Sequence, residues 1–200
     1  MKNVQVTARA HWASATSTRV GNGTPVRRTH TTSDHEQAIR GDHAATPTIG
    51  NARFRDIPAV HAIQVASFRP GLAYSKGALY TLWLLPNVTF IVARNRATGE
   101  AIGCIIGDRY QGGVRIMNLA IQPDWRRHGI ATMLLRAIGE RLPDGDIVLM
   151  VEEHNTGAQA LYTREGFVRT GFANDYYGRR LNGIQMTLRR GPSPDTRIMV

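Results

Sequence analysis

RRHGIA, Arg126-Arg127-His128-Gly129-Ile130-Ala131, sits between two apolar runs. Ile116-Met117-Asn118-Leu119-Ala120-Ile121 precedes it, and Thr132-Met133-Leu134-Leu135 follows it. The stretch therefore reads as the turn by which a strand enters a helix. Such a basic turn has two readings, a solvated loop or a cradle for phosphate. A helix N-terminus leaves its first N–H groups unpaired and carries partial positive charge. Gly129 removes a side chain where a ligand must approach the backbone, and Ala131 is small for the same reason. Together these make an anion site to which Arg126, Arg127 and His128 can add side-chain donors. Alone the signal is weak, because basic turns with one glycine are common.

Outward from this turn, segments alternate in type. A short strand is expected near 49–54. Ile57, Val60, Ile63, Val65 and Phe68 have helical spacing, with Asp56 as N-cap and Pro58 in the first turn, which predicts a helix over 57–68. A second amphipathic helix, over 75–85, is stopped by Pro86. VTFIVAR (88–94) reads as a strand, Asn95-Arg96-Ala97-Thr98-Gly99 as a hairpin turn, and 100–108 as the next strand. Gly112-Gly113 turns the chain into a strand over 114–121. The following helix is expected over about 124–142, ending before Pro143-Asp144-Gly145. A buried strand over 147–152 (IVLMVE), a helix over 156–165 closed by Gly166, and strands over 167–172 and 183–190 complete the chain. The predicted order is β-α-α-β-β-β-α-β-α-β-β, without an internal repeat.

The length of 200 residues bounds the answer to one or at most two domains. A hydrophobic fraction of 42% supports one sizeable core. The formal net charge of +10 favours an anionic partner without choosing among nucleic acid, an acidic membrane surface and a polyphosphate ligand. The single cysteine, Cys104, excludes an internal disulfide and sits in the apolar run AIGCIIG, where a core role is expected. No metal site can be built from it by spacing. No apolar run approaches the roughly 18 residues of a membrane span. The N-terminus lacks the compact apolar core of a signal peptide, so a cytoplasmic location is expected. Residues 1–50 contain no Leu, Phe or Tyr, and carry nine Thr, four His and six Lys/Arg against three Asp/Glu. Such a segment buries too little apolar surface to offset the entropy of ordering. It is expected to be a disordered basic extension, faintly like an organelle transit peptide but more plainly a dispensable one. The folded domain is expected over 51–190 and a flexible tail over 191–200.

The pattern Arg126-x-x-Gly129-x-Ala131, after NLAIQPDW and before MLL, resembles the pyrophosphate loop, Q/R-x-x-G-x-G/A, of the GNAT acetyltransferase family. A second stretch agrees: Asn155-x-x-Ala158-x-x-Leu161-Tyr162-x-x-x-Gly166-Phe167 is similar to the family's later helix and the strand after it. It is closest in kind to members that acetylate protein N-termini, the ribosomal-protein alanine acetyltransferases. Asp175-Tyr176-Tyr177 and Ile184-Gln185-Met186 agree more loosely. The resemblance spans about 54–190. It implies an α/β (α+β) fold with a mixed, mainly antiparallel seven-stranded sheet and flanking helices, splayed between the fourth and fifth strands. Acetyl-CoA, the acetyl donor, would lie in that splay.

The implied reaction is direct attack of a neutral amine on the thioester. It needs a proton acceptor, since a free amine is largely protonated near neutral pH. It also needs a preorganised donor for the oxyanion and an acid for the departing thiolate. By the resemblance, the backbone at Leu119, Ala120 and Ile121 pairs with the pantetheine. The turn Arg126, Arg127, His128, Gly129, Ile130, Ala131 and Thr132 holds the pyrophosphate, Asn155 lies beside the cofactor, and Tyr162 protonates the thiolate. From the residues alone, a core aromatic is the commoner reading of Tyr162. The family's Glu on the fifth strand, five residues before the motif Asn, is replaced here by Met150. Some relatives use His there with a Tyr on the fourth strand, where this chain has Arg115. Neither Met150 nor Arg115 is a base. Glu152 is the substitute candidate, because strand alternation points it the same way as Met150; the plainer reading leaves it solvated at the strand end.

The acceptor is expected to enter opposite CoA, against Leu72 and Tyr74 of the loop that begins at Arg69 and against Tyr176 and Tyr177. Two exposed tyrosines can sandwich a peptide, and a hairpin with packed aromatics is the equal alternative. Asp175 or Glu153 could hold an ammonium group, although single acids are usually solvated surface. The first acceptor is a protein N-terminus, with ribosome association as a possible context for the basic surface. Small amines such as a polyamine or an aminoglycoside come second. A non-catalytic acyl-CoA-binding module and a basic nucleic-acid-binding module are the rivals from other classes. The chain shows no sequence-specific nucleic-acid motif.

Overall fold

The computed structural model describes residues 46–191. Apart from 46–50 and 191, the expected extension and tail lie outside the described residues. The elements are β1 (Thr48–Asn51), α1 (Ile57–Ser67), α2 (Lys76–Leu84), β2 (Val88–Arg94), β3 (Ala101–Tyr110), β4 (Gly113–Ile121), α3 (Ile130–Arg141), β5 (Ile147–Glu152), α4 (Thr156–Arg164), β6 (Val168–Ala173) and β7 (Gly183–Leu188). Their order is the one the sequence predicts. The seven strands form one sheet in the order β1-β2-β3-β4-β5-β7-β6, antiparallel except for β4 beside β5.

Local chemistry sets the helix ends, with three corrections to the sequence reading. Ser75 caps α2 by accepting from the Ala78 N–H at 3.2 Å. Asp56 stands at the start of α1 but makes no side-chain cap there. Its carboxylate instead accepts from the Arg53 N–H at 2.6 Å and pairs with buried Arg94 on β2, tying the entry to α1 onto the sheet. Val65 is not on the packed face. The buried positions of α1 are Ile57, Val60, Ile63, Gln64 and Ser67, while Val65 is 56% exposed. The third correction concerns α3, which begins at Ile130 rather than near 124. Pro123–Trp125 form a separate 3₁₀ turn, and Arg127 and Gly129 both adopt positive φ, which no continuous helix allows.

The sheet separates two cores. On one side α3 and α4 cover Ile91, Ile105, Ile116, Leu119, Leu149, Val151 and Ile184. On the other α1 and α2 cover Phe90, Val92, Cys104, Ile106, Met117 and Ala120. Two features of β4 then shape the site. First, the β4–β5 register stops at Ile116↔Leu149, so Met117–Ile121 and Met150–Glu152 diverge. Second, a bulge on β4 opposite Ile106 and Gly107 inserts Met117. It switches the alternation, so that Val114 and Ile116 before it and Leu119 and Ile121 after it face the same side. Glycine is required where the two strands start. A Cβ on Gly113 would stand 2.3 Å from the Asp146 carbonyl oxygen.

Candidate active site

The divergence of β4 from β5 opens a cleft of about 450 Å³. Leu119 and Ile121 form one wall, the N-terminus of α3 a second, and Gly157, Ala158, Leu161 and Arg164 of α4 a third. Gly129 holds the turn open: its φ is +75°, and a Cβ there would meet no atom within 4 Å. Ile130, Ala131 and Thr132, the first turn of α3, line the cleft, and the first intrahelical bond runs from the Met133 N–H to the Gly129 carbonyl at 3.0 Å, so the N–H groups before it have no partner within the helix. Arg127 is exposed beside them. Arg126 lines the cleft but turns its guanidinium inward, donating to the Ile121 carbonyl at 3.3 Å and to the Ser67 hydroxyl at 3.3 Å. Burial pulls its pKa below the ordinary arginine value, with Asp124 opposing.

Of the residues the sequence assigns to the cofactor, Leu119, Ile121, Arg126, Arg127, Gly129, Ile130, Ala131 and Thr132 line this cleft. Ala120, His128 and Asn155 are not on its wall. Ala120 packs into the core beneath α1. His128 is exposed, with Nδ1 2.8 Å from the Arg126 carbonyl and the ring beside Trp125. The Asn155 side chain caps α4, accepting from the Ala158 N–H at 3.1 Å. The Thr132 hydroxyl donates to Glu165 at 3.0 Å, and Glu165 also pairs with Arg136, so the C-terminus of α4 braces the first turn of α3. Sequence reasoning passed over Ser67, Trp125, Gly157 and Arg164. The first three have no distinguishing pattern, but Arg164 is legible as a basic residue one α4 turn after Leu161.

Tyr162 lies on α4 beside the cleft residues Ala158 and Leu161. It is wholly buried, its ring 5.7 Å from that of Phe167. Its hydroxyl makes no hydrogen bond among the described residues. Burial raises its pKa well above that of an ordinary tyrosine, so the oxygen keeps its proton. Glu152, at the end of β5, is buried rather than solvated, and its carboxylate meets Arg69 at 2.9 Å.

The other face of the sheet carries a hollow of about 480 Å³ lined by Tyr110, Arg115, Val148, Met150, Tyr176 and Gln185, among others. Arg115 donates from Nε to Asp108 at 3.0 Å and lies 4.6 Å over the Tyr110 ring. The hydrogen bonds to Asp108 raise its pKa, so it remains a cation. Tyr74 senses both Arg115 and Tyr176. Burial pushes its pKa up to about 12, against the pull of Arg115. Tyr74 and Tyr176 thus converge on Arg115, whereas Leu72 packs against the core under α1. Tyr177 is buried, and its ring meets Tyr176 edge-on at 4.8 Å. The two tyrosines are therefore not an exposed sandwich but the packed pair of the alternative reading. Asp175 accepts from the Arg180 N–H, and Glu153 from Asn182 at 2.8 Å, so both acids are engaged within the hairpin connection. Among the described residues no cluster of three His, Cys, Asp or Glu could hold a metal ion, and no helix is long and apolar enough to cross a membrane.

Comparison with known proteins places this geometry. Residues 86–169 match the family model described as acetyltransferase (GNAT) domain. Over 110 residues the chain is 36% identical to the N-alpha-acetyltransferase MAK3 of Arabidopsis thaliana, an alignment covering 52% of this chain and 56% of that protein. The chain thus spans about half the length of that relative. Among solved structures it is similar to the ribosomal-protein-S18-alanine N-acetyltransferase of Escherichia coli, with a TM-score of 0.63 and 20% identity over 74% of this chain and 97% of that one. It is also similar to Arabidopsis thaliana NAA60 in complex with a bisubstrate analogue, with a TM-score of 0.66 and 20% identity over 74% and 100%. Residues 86–169 are thus similar to a GNAT acetyltransferase domain, and the described residues share the fold of these acetyltransferase structures.

Proposed function

We propose that the protein transfers the acetyl group of acetyl-CoA to a primary amine, and that the amine is the N-terminus of a protein or peptide. The observation that carries the reading is the cleft at the β4–β5 splay, open at Gly129 and lined by the N-terminal turn of α3. Its chemistry suits a pyrophosphate ester, since backbone donors and a helix terminus bind anions without a charged pocket. The buried hydroxyl of Tyr162, without a hydrogen-bond partner among the described residues, supports the same occupant, because a protein group left this way is costly unless a ligand completes it.

When bound, acetyl-CoA supplies an activated acyl group. Arg127, Gly129, Ile130, Ala131 and Thr132 would hold its phosphates, and the β4 edge at Leu119–Ile121 its pantetheine arm. A main-chain N–H of that edge would polarise the carbonyl. Tyr162 keeps a proton at Oη for donation to sulfur. Glu152 would receive a proton from the incoming ammonium. Arg115 keeps its charge throughout, and Met150 has no proton to exchange, which leaves Glu152 as the acid nearest the splay.

A protein N-terminus is favoured by the hollow on the opposite face, where Tyr110, Tyr176 and Arg115 offer hydrogen-bond donors to an extended backbone. The similarity to an N-alpha-acetyltransferase points the same way. We take ribosome docking of the basic surface and a cytoplasmic location as part of this reading. The domain would run over 51–190 with terminal extensions. The test is release of CoA thiol with a panel of free-N-terminal peptides beside polyamines and aminoglycosides. Turnover confined to peptides supports the proposal, and turnover confined to small amines replaces it. Glu152→Gln is expected to lower the rate at least tenfold at neutral pH. An unchanged rate and pH profile would remove Glu152 from the reaction.

A further inference from the structure

We propose that the outer face of α2, together with the 3₁₀ turn Phe54–Asp56 before α1, docks on an anionic lipid surface. Aromatic and leucine side chains enter the boundary between headgroups and acyl chains, and the arginines and lysine beside them meet the headgroups. The inference adds a place of action to the acetyl transfer proposed above and does not depend on it.

Among the described residues seven large hydrophobics are exposed, and four of them, Phe54, Val65, Leu84 and Leu85, fall within the segment 54–85. Three of the four build one ridge. Phe54 is 59% exposed, and its ring lies 4.7 Å from that of Tyr80 and 5.7 Å from that of Trp83. Tyr80 and Trp83 are half-buried and rest on the core beneath α2. The Trp83 indole N–H donates to the Ala52 carbonyl at 2.8 Å, which fixes the ring. Leu84, 71% exposed, and Leu85 carry the ridge past Trp83. Lys76, Tyr80, Trp83 and Leu84 are spaced i, i+4, i+7 and i+8, so they share one face of α2. A single hydrophobe at the surface needs no explanation, whereas a cluster marks an interaction site.

Charge selects the partner. Arg53 and Arg55 flank Phe54, Lys76 stands one turn before Tyr80, and all three are exposed. None of them makes an ion pair among the described residues. Over residues 46–99 the only acid is Asp56, and it is buried against Arg94. This segment therefore offers cations and apolar tips with no exposed carboxylate. Shape selects lipid over a folded partner. Neither the cleft nor the hollow is lined by Phe54, Tyr80, Trp83, Leu84 or Leu85, and the ridge projects instead of enclosing a groove. A folded protein would need a complementary pocket for each tip, whereas a lipid surface closes around any shape. Tryptophan and tyrosine, with an apolar body and a polar tip, suit the membrane boundary. Long basic side chains reach from it to anionic headgroups. The cofactor cleft opens beside α3 and α4, on the other side of the sheet, so docking leaves it uncovered.

The test is flotation of the full chain with lipid vesicles. Wild type is expected to float with vesicles of two parts phosphatidylcholine to one part phosphatidylserine, and not with phosphatidylcholine alone. Phe54→Gln combined with Leu84→Gln should abolish flotation. Arg53→Gln, Arg55→Gln and Lys76→Gln together should weaken it, by about five-fold for each cation removed. Phe172→Gln, at another exposed aromatic on the opposite edge strand β6, should change nothing. Brominated acyl chains should quench tryptophan emission in wild type, and Trp83→Phe should remove that quenching. Folding of every variant is followed by circular dichroism. The cation variant, which alters only exposed side chains, decides the matter if Phe54→Gln proves unstable. Flotation that persists unchanged in the cation variant, equal flotation with phosphatidylcholine alone, or no flotation with either vesicle overturns the proposal. Binding to soluble polyglutamate that falls in the same variants, without flotation, would assign the ridge to an acidic protein partner and also overturn it.

Discussion

Tyr162 is asked to do two things by one side chain. Its ring fills the core between α4 and Phe167, and its hydroxyl carries a polar atom into that core without a hydrogen-bond partner among the described residues. Packing alone would favour phenylalanine, because an unsatisfied buried hydroxyl costs about 1–3 kcal/mol. Tyr162→Phe is therefore expected to leave the melting temperature unchanged or slightly raised while lowering acetyl transfer about 10²-fold. Unaltered turnover in a stable variant would make Tyr162 a core aromatic only. The raised pKa gives a sign as well. The hydroxyl keeps its proton across the neutral range and beyond the ordinary tyrosine value of about 10, so no loss of rate below that pH should come from this residue. A wild-type rate that falls between neutrality and about pH 10, with the fall abolished in Tyr162→Phe, would contradict this.

At the scale of elements, the site depends on how far β4 and β5 run together before they part. Gly113 sets the start of that pairing, where the Val114 N–H donates to the Asp146 carbonyl at 2.9 Å and a Cβ on Gly113 would collide with the same carbonyl. Gly113→Ala is expected to cost about 1–3 kcal/mol. At about 2–4 °C per kcal/mol, this is a loss of several degrees in thermal melting. Acetyl-CoA affinity should survive below the transition, because the cleft lies at the other end of β4. The strands themselves were legible in the sequence: apolar runs over 88–94, 114–121 and 147–152 coincide with β2, the body of β4 and β5. Three features were not. The bulge at Met117 reverses the facing of Leu119 without leaving a trace in composition. The 3₁₀ turn at Pro123–Trp125 and the positive φ of Arg127 detach α3 from residues that still look helical. The Arg69–Glu152 pair joins positions 83 residues apart, which no local pattern encodes. The glycine turn that opens α3 was legible because its determinants, a helix start, a glycine and neighbouring cations, are contiguous.

At the scale of the whole molecule, the sheet keeps two sites apart. The cleft opens on the side of α3 and α4, while Arg115, Val148, Met150 and Gln185 face the hollow opposite. The chain carries a formal net charge of +10. Acetyl-CoA is polyanionic, so its affinity should fall several-fold as salt rises from low to well above physiological strength, chiefly through the on-rate. A salt-independent affinity would show that the backbone donors of α3 act without help from the basic surface. The most direct test of the account is calorimetry of acetyl-CoA with wild type and with Gly129→Glu, which sets a negative side chain into the open turn. The account predicts binding by the wild type and its loss in the variant, with unchanged folding by circular dichroism. Absence of binding in folded wild type, or equal binding by Gly129→Glu, would contradict the claim that the turn at Arg126–Ala131 is a phosphate cradle.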